Sequence, residues 1–124
     1  MVWLAFLQIV LGVVDVLGFD MVRVSGHVIL GLVILGLAHY NNVKIKKTEA
    51  PDRLKRTAKA TAILATIQPL FGIALLVNLM LVVSIPLVGV VNFLHLMTAL
   101  AIITQASSVA TAYDIWEEKE FTKS

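Results

Sequence analysis

Four stretches of the chain are apolar for long enough to suggest membrane-spanning helices, each of which needs about 20 mostly apolar residues. The first runs from about Val2 to Leu17 and is interrupted by Gln8 and Asp15. The second covers about Val24 to Tyr40, the third about Ala58 to Val83, and the fourth about Leu87 to Thr111. Gly18 to Arg23 and Ser84 to Gly89 are short enough for tight turns, with Pro86 well placed at a helix start. The expected fold is all-α: a four-transmembrane-helix, up-down bundle of two similar hairpins in one membrane domain. Hairpin one covers about 2–41, a basic linker about 41–59, hairpin two about 58–113, and a tail 114–124. The first span is short, as a signal peptide would be. It has no basic leading region and no clear small-residue cleavage site, and its motif recurs in a later span.

Helical spacing of three, four and seven gathers the few polar residues onto single faces. Gln8, Gly12 and Asp15 share a face of helix one. Arg23, His27, Gly31, Ile34 and Ala38 do so on helix two. Thr61, Ala65, Gln68, Gly72 and Leu79 do so on helix three, and Asn92, His95, Ala99, Ile102 and Ala106 on helix four. The other faces are Leu, Val, Ile and Met. Small residues let helices approach, and polar ones hydrogen-bond between them, so the stripes should face inward.

Composition reinforces this reading. Of 124 residues, 59% are hydrophobic and 15% charged, with a mean hydropathy of +0.92. Soluble domains are roughly 45–50% apolar. A soluble enzyme, a nucleic-acid-binding domain and a disordered chain are therefore excluded, and with no cysteine so is a disulfide scaffold. The pI of about 9.1 does not imply nucleic acid, because seven of the ten basic residues lie between Asn41 and Lys59. Lys- and Arg-rich loops stay in the cytoplasm. Both termini, two spans away on either side, should be cytoplasmic too; Lys119 and Lys123 bring the inside count to nine, against Arg23 outside. Ala50-Pro51-Asp52 has the form of a helix start, so helix three should begin below the membrane. Its basic stripe sets topology and is also suited to anionic headgroups.

The chain also reads as duplicated. Leu7-Gln8-Ile9-Val10-Leu11-Gly12-Val13 parallels Ile67-Gln68-Pro69-Leu70-Phe71-Gly72-Ile73. Each following helix carries a histidine with a small residue four positions on: His27 with Gly31, and His95 with Ala99. The offset grows from 60 at the glutamines to 68 at the histidines, which puts eight extra residues in hairpin two around its outer turn. Such repeats pack about a pseudo-axis, here along the membrane normal. In an up-down bundle, helices two and four are diagonal. His27 and His95 lie ~5 and ~12 Å below the outer starts of their helices at 1.5 Å per residue. The two imidazoles are therefore expected to face each other in the outer half of the membrane.

An ionisable residue inside a membrane is costly, and its default reading is functional. Two inward histidines on diagonal helices suit axial ligation of one haem iron. Gly31 and Ala99 would leave room for the porphyrin faces, Gly12 and Gly72 would thin the other helices at its edges, and Arg23 would pair with a propionate unless Asp15 takes it. With no cysteine, the haem would be non-covalent and b-type. The bland alternative makes both histidines polar glue bonded to Gln8, Gln68 or Asn92; a proton or ion relay is a third. His39, beside Tyr40, reads as interfacial, since its counterpart by the same offset is Ser107. Trp3, Tyr113 and Trp116 read as interface anchors. Pro69 should kink helix three.

Leu7-Gln8-x-x-x-Gly12 with His27, and Ile67-Gln68-x-x-x-Gly72 with Leu94-His95-Leu96, resemble the four-helix haem-binding half of the heme A synthase family. Small four-helix b-type membrane cytochromes are similar in outline. The resemblance covers the membrane part of the chain and implies His27 and His95 as haem ligands. It also shows departures. Val24 and Asn92 stand where that family places a catalytic Glu three residues before a ligand His. The family's paired-cysteine loop is absent, and four spans replace eight.

The expectation is a b-type cytochrome-like membrane protein that transfers electrons through one bis-histidine haem, with a quinol or a redox subunit as partner. The alternatives are a non-catalytic subunit of a larger membrane complex of respiratory type, and a haem-modifying protein.

Overall fold

A computed structural model describes residues 1–13, 21–81 and 88–123. The fold is all-helical: α1 is Val2–Val13, α2 Met21–Lys46, α3 Asp52–Leu81 and α4 Val88–Phe121. Asp15, the first half of the expected turn 18–23 and most of the expected turn 84–89, including Pro86, lie outside the described residues.

The helices form a ring. α1 packs on α2 and α4, α2 on α3, and α3 on α4, which leaves α1 opposite α3 and α2 opposite α4. Neighbours run antiparallel: Gln8 meets His27 while Asn41 meets Met1, and Gln68 meets His95 while Thr61 meets Gln105. α2, α3 and α4 are each long and apolar enough to cross a membrane. The described part of α1 is a shorter apolar helix.

Two helices run further than expected, for one cause. α3 begins at Asp52, as Ala50-Pro51-Asp52 suggested, but α2 continues past Tyr40 to Lys46, so the basic stretch 41–59 is helical apart from residues 47–51. The tail after 114 is likewise helical, as far as Phe121. Charged residues end a lipid-compatible stretch without ending a helix, since Lys, Arg and Glu are good helix formers. The short connection satisfies its own backbone. Lys47 and Thr48 donate N–H groups to the Lys44 and Ile45 carbonyls. The Thr48 hydroxyl also donates to the Ile45 carbonyl at 2.7 Å and accepts from the Ala50 N–H at 3.3 Å. Pro51 has no N–H to donate, and its carbonyl accepts from Leu54 and Lys55. Asp52 then meets the positive end of the α3 dipole.

The core is built from small side chains. One buried cluster joins Ala5, Ile34, Ala38, Ala62, Ala65 and Ile102. A second joins Ile45, Ala50, Leu54, Ala58 and Val109, with Tyr113 and Trp116 packed on it. Those two aromatics, expected as interface anchors, thus brace the extension of α4, their rings 5.5 Å apart. The large apolar residues point outward: Trp3 is 82% exposed, Val22 79% and Leu70 64%. This inversion suits a lipid environment, where close approach replaces burial of large side chains as the source of packing energy. Hydroxyls on the apolar helices donate back one turn, as Thr66 does to Ala62, Thr98 to Leu94 and Thr104 to Leu100. They therefore need no water.

Alanine at the centre is a steric requirement. Ala62→Leu, at a site 2% exposed, should cost about 1–3 kcal/mol by overpacking. Ala112→Leu, on an exposed face, should change stability by less than about 0.5 kcal/mol. Thermal unfolding of both variants in detergent, followed by circular dichroism, checks the contrast.

Candidate functional site

Gln8 and Gly12 lie one turn apart on α1, and Gln68 and Gly72 one turn apart on α3. Each pair meets a histidine on the next helix. Gln8 Nε2 donates to the His27 carbonyl at 2.8 Å, and Gln68 Nε2 donates to the His95 carbonyl at 3.0 Å. The partners are 19 residues apart in one case and 27 in the other, a difference of eight that matches the growth in the repeat offset. The glycines complete the motif. A Cβ on Gly12 would sit 3.0 Å from His27 Cε1, and one on Gly72 would sit 3.4 Å from His95 Cε1. Glutamine ties the two backbones together, and glycine makes room for the imidazole. The motif is thus a helix-pairing device used twice.

The two imidazoles are brought face to face from the diagonal helices α2 and α4. Their centroids are 6.1 Å apart and their planes inclined by 50°. Both side chains are half-buried. His27 Nδ1 lies 3.1 Å from the Gln8 carbonyl oxygen. A carbonyl only accepts, so Nδ1 carries the proton, and the Nε2 lone pair of the neutral ring is left for another partner. His95 has the same environment with a looser fit. Its Nδ1 is buried beside the Gln68 backbone without closing a hydrogen bond. Gln8 Oε1 and Gln68 Oε1 are also buried without donors. Three polar atoms around one ring pair are therefore unpaired, where buried polar groups are normally satisfied.

The other expected site residues fall into place unevenly. Gly31 faces the Gln8 carboxamide: a Cβ there would be 3.1 Å from Gln8 Nε2. The space beside Gly31 thus holds the side chain that clasps His27. Ala99 is half-buried, one turn beyond His95. Arg23 is half-buried in the first turn of α2, one turn before His27. Asn92 is exposed. His39 is exposed and stands apart from the pair, its Nε2 2.9 Å from Thr66 Oγ1. Because that hydroxyl already donates to Ala62 at 2.9 Å, His39 Nε2 must be the donor. A second polar contact between α3 and α4, the Thr61–Gln105 pair, was not named from the sequence. Thr61 Oγ1, in a buried residue, lies 2.9 Å from the Thr57 carbonyl and 3.2 Å from Gln105 Oε1. Thr61 and Gln105 do lie on or at the edge of the two polar stripes. What the stripes alone omit is which pairs meet.

Two nitrogen ligands and a set of unpaired acceptors can coordinate one metal centre, or can relay or share a proton. Among the described residues, no three His, Asp or Glu side chains group as a metal cage. Any metal held here needs most of its ligands from a cofactor. Comparison with known proteins found no matching family model, no matching curated protein and no matching solved structure.

The glycines give the site a steric signature. Gly36→Ala, where nothing lies within 4 Å, should stabilise by about 0.5–1 kcal/mol through helix propensity. Gly72→Ala should be near neutral, the tighter contact offsetting that gain. Gly12→Ala should destabilise by about 1 kcal/mol or more, because the ring of His27 must move. Thermal unfolding in detergent checks the order of the three variants.

Proposed function

We propose that this chain is an integral membrane protein of four spans in two similar hairpins, binding one non-covalent haem between His27 and His95 as a b-type cytochrome-like electron carrier. The observation that supports it best is the facing imidazole pair with centroids 6.1 Å apart. Two imidazoles sharing one metal at ~2 Å metal–nitrogen distances put their centroids roughly 6 Å apart. The hydrogen bond that fixes His27 Nδ1 leaves Nε2 as the ligand atom, the orientation that metal-binding histidines commonly adopt.

In this reading each residue has a task. His27 and His95 are the axial ligands. Gly12 and Gly72 admit their rings, Gly31 houses the Gln8 carboxamide, and Ala99 leaves α4 thin one turn from its ligand. Arg23, one turn from His27, is assigned to a propionate. When bound, the haem supplies a one-electron couple with both axial positions filled, which favours electron transfer over oxygen binding. Quinol or a partner subunit would exchange the electron. The basic segment 44–59 and both termini face the cytoplasm, since nine of ten Lys and Arg residues fall on that side.

The Gln–His clasps also favour a second reading. They hold the helices without any cofactor, as a structural subunit of a larger respiratory-type complex would require. A haem-modifying enzyme of the heme A synthase type is a third, and it lacks the Glu at Val24 and Asn92.

Purified protein should carry about one haem per chain, with the split visible bands of a low-spin centre on reduction. His95→Ala should lose more than half of the bound haem or convert it to a high-spin form. A folded, stoichiometric preparation without Soret absorbance, even after haem is added, would sink the haem reading in favour of the structural subunit. Altered haem in the extract would favour the enzyme.

Orientation is testable because the chain has no cysteine of its own. In intact cells, a membrane-impermeant maleimide should label Val88→Cys and spare Glu49→Cys. The reverse pattern overturns the topology.

A further inference from the structure

α1 begins at Val2, whereas α2 and α4 continue past that level to Lys46 and Phe121. Past the level at which α1 begins, residues of α2, α3 and α4 line a cleft of about 290 Å³. Met1 and Val2 close its top. Its sides are small and apolar, with Ala38 from α2, Ala58 from α3, and Ala106 and Ala110 from α4. Ile45, Val109 and Tyr113 also line it and join it to the second core cluster. The cleft is separate from the histidine pair: Ala38 is eleven residues from His27, or ~16 Å along the helix.

Its polar lining is mixed in sign. Lys44 of α2 and Asp114 of α4 are both exposed, and no ion pair engages either among the described residues. Asn41 and Tyr113 are half-buried beside them. Asn41 spends its amide N–H on the sulfur of Met1 at 3.6 Å, which leaves its carbonyl oxygen as an acceptor. A lysine alone at such a place would suit a lipid phosphate. A carboxylate on the opposite side disfavours one. Lys44 and Asp114, unpaired among the described residues and carried by helices on opposite sides of an apolar slot, suit a neutral, flat, lipid-soluble head whose oxygens accept hydrogen bonds when oxidised and can donate them when reduced.

We infer that the cleft between α2 and α4 binds the headgroup of a lipid-soluble quinone or quinol, with Lys44 donating to one ring oxygen and Asp114 accepting from the hydroxyl of the reduced form. The Ala38, Ala58, Ala106 and Ala110 walls take the ring, and the substituent chain leaves sideways into lipid. The inference gives the quinol partner of the haem reading a location, but binding itself needs no haem.

The test is equilibrium binding of a decyl-benzoquinone and its quinol to the full chain in phosphatidylcholine nanodiscs, read as quenching of tryptophan fluorescence. Trp116 packs on the cluster to which Tyr113 belongs, and Trp3 adjoins Val2, so both reporters lie near the cleft. Quenching should saturate, and decylbenzene, which lacks the ring oxygens, should give none that saturates. Ala110→Leu and Lys44→Met should each weaken binding at least tenfold, and Asp114→Asn should weaken the quinol more than the quinone. Non-saturating quenching, or affinity unchanged in all three variants, overturns the inference. So does loss of binding when phosphatidylglycerol replaces phosphatidylcholine, which would make this an anionic-lipid site. The double variant His27→Ala, His95→Ala separates the two readings. Binding retained in this haem-free variant shows that the cleft stands apart from the histidine pair. Unsubstituted protein that binds quinone but no haem removes only the haem reading, and haem-loaded protein that binds no quinone removes only the cleft.

Discussion

The arrangement of this molecule depends on a side-chain amide that reaches across to a neighbouring helix and takes its backbone carbonyl. Gln8 does this at His27 and Gln68 does it at His95, at 2.8 and 3.0 Å. Helix carbonyls are already bonded within their own helix, so a second donor adds a contact without leaving a group unpaired. Where the surroundings are apolar, such bonds hold helices together alongside close van der Waals contact. The clasp also sets the axial register of each pair, and that register decides where the histidines stand.

Glycine and alanine make the clasp usable. With no Cβ at Gly12 and Gly72, each imidazole lies against the neighbouring helix near the glutamine that holds its backbone. Alanine at 38, 62 and 65 keeps the helix axes close one to three turns further on, while larger side chains are turned outward. The same economy leaves a cost at the centre. Three polar atoms near the facing rings have no hydrogen-bond partner among the described residues. Buried polar groups of this kind are normally satisfied, so the centre of the bundle carries an uncompensated desolvation cost.

The two ends of the bundle serve different purposes. Around the histidines, all four helices contribute and the contacts repeat with pseudo-twofold likeness. At the other end α2, α3 and α4 extend past the start of α1, joined by the Ile45, Leu54 and Val109 cluster under Tyr113 and Trp116. This second core makes the charged segments continuous with the apolar ones, so the α2–α3 connection is a five-residue turn between rigid helices.

Much of this was legible in the sequence because its carriers are local. Apolar run length specifies helices suited to a membrane, and the recurrence of Gln-x-x-x-Gly with a later histidine specifies which faces turn inward. The eight-residue difference between the repeats survives in the partner spacings of 19 and 27. Helix ends were less legible: the charges at 41–59 and after 114 mark where a segment stops resembling lipid, and helix propensity carries it further. The meeting of His27 with His95, and Gln8 and Gln68 as their neighbours, were legible; the remaining partners were not. Asn92 and Gln105 both lie on or near the polar stripe of α4, yet only Gln105 finds a partner across the interface, at Thr61. The space beside Gly31 is filled by Gln8, and Tyr113 and Trp116 turn into a second core. Periodicity determines the direction a residue faces on its own helix. Distances between helices depend on how closely small residues let the axes approach, and only packing all four together decides that. It is this approach that sets two histidines, 68 residues apart in the chain, 6.1 Å from each other.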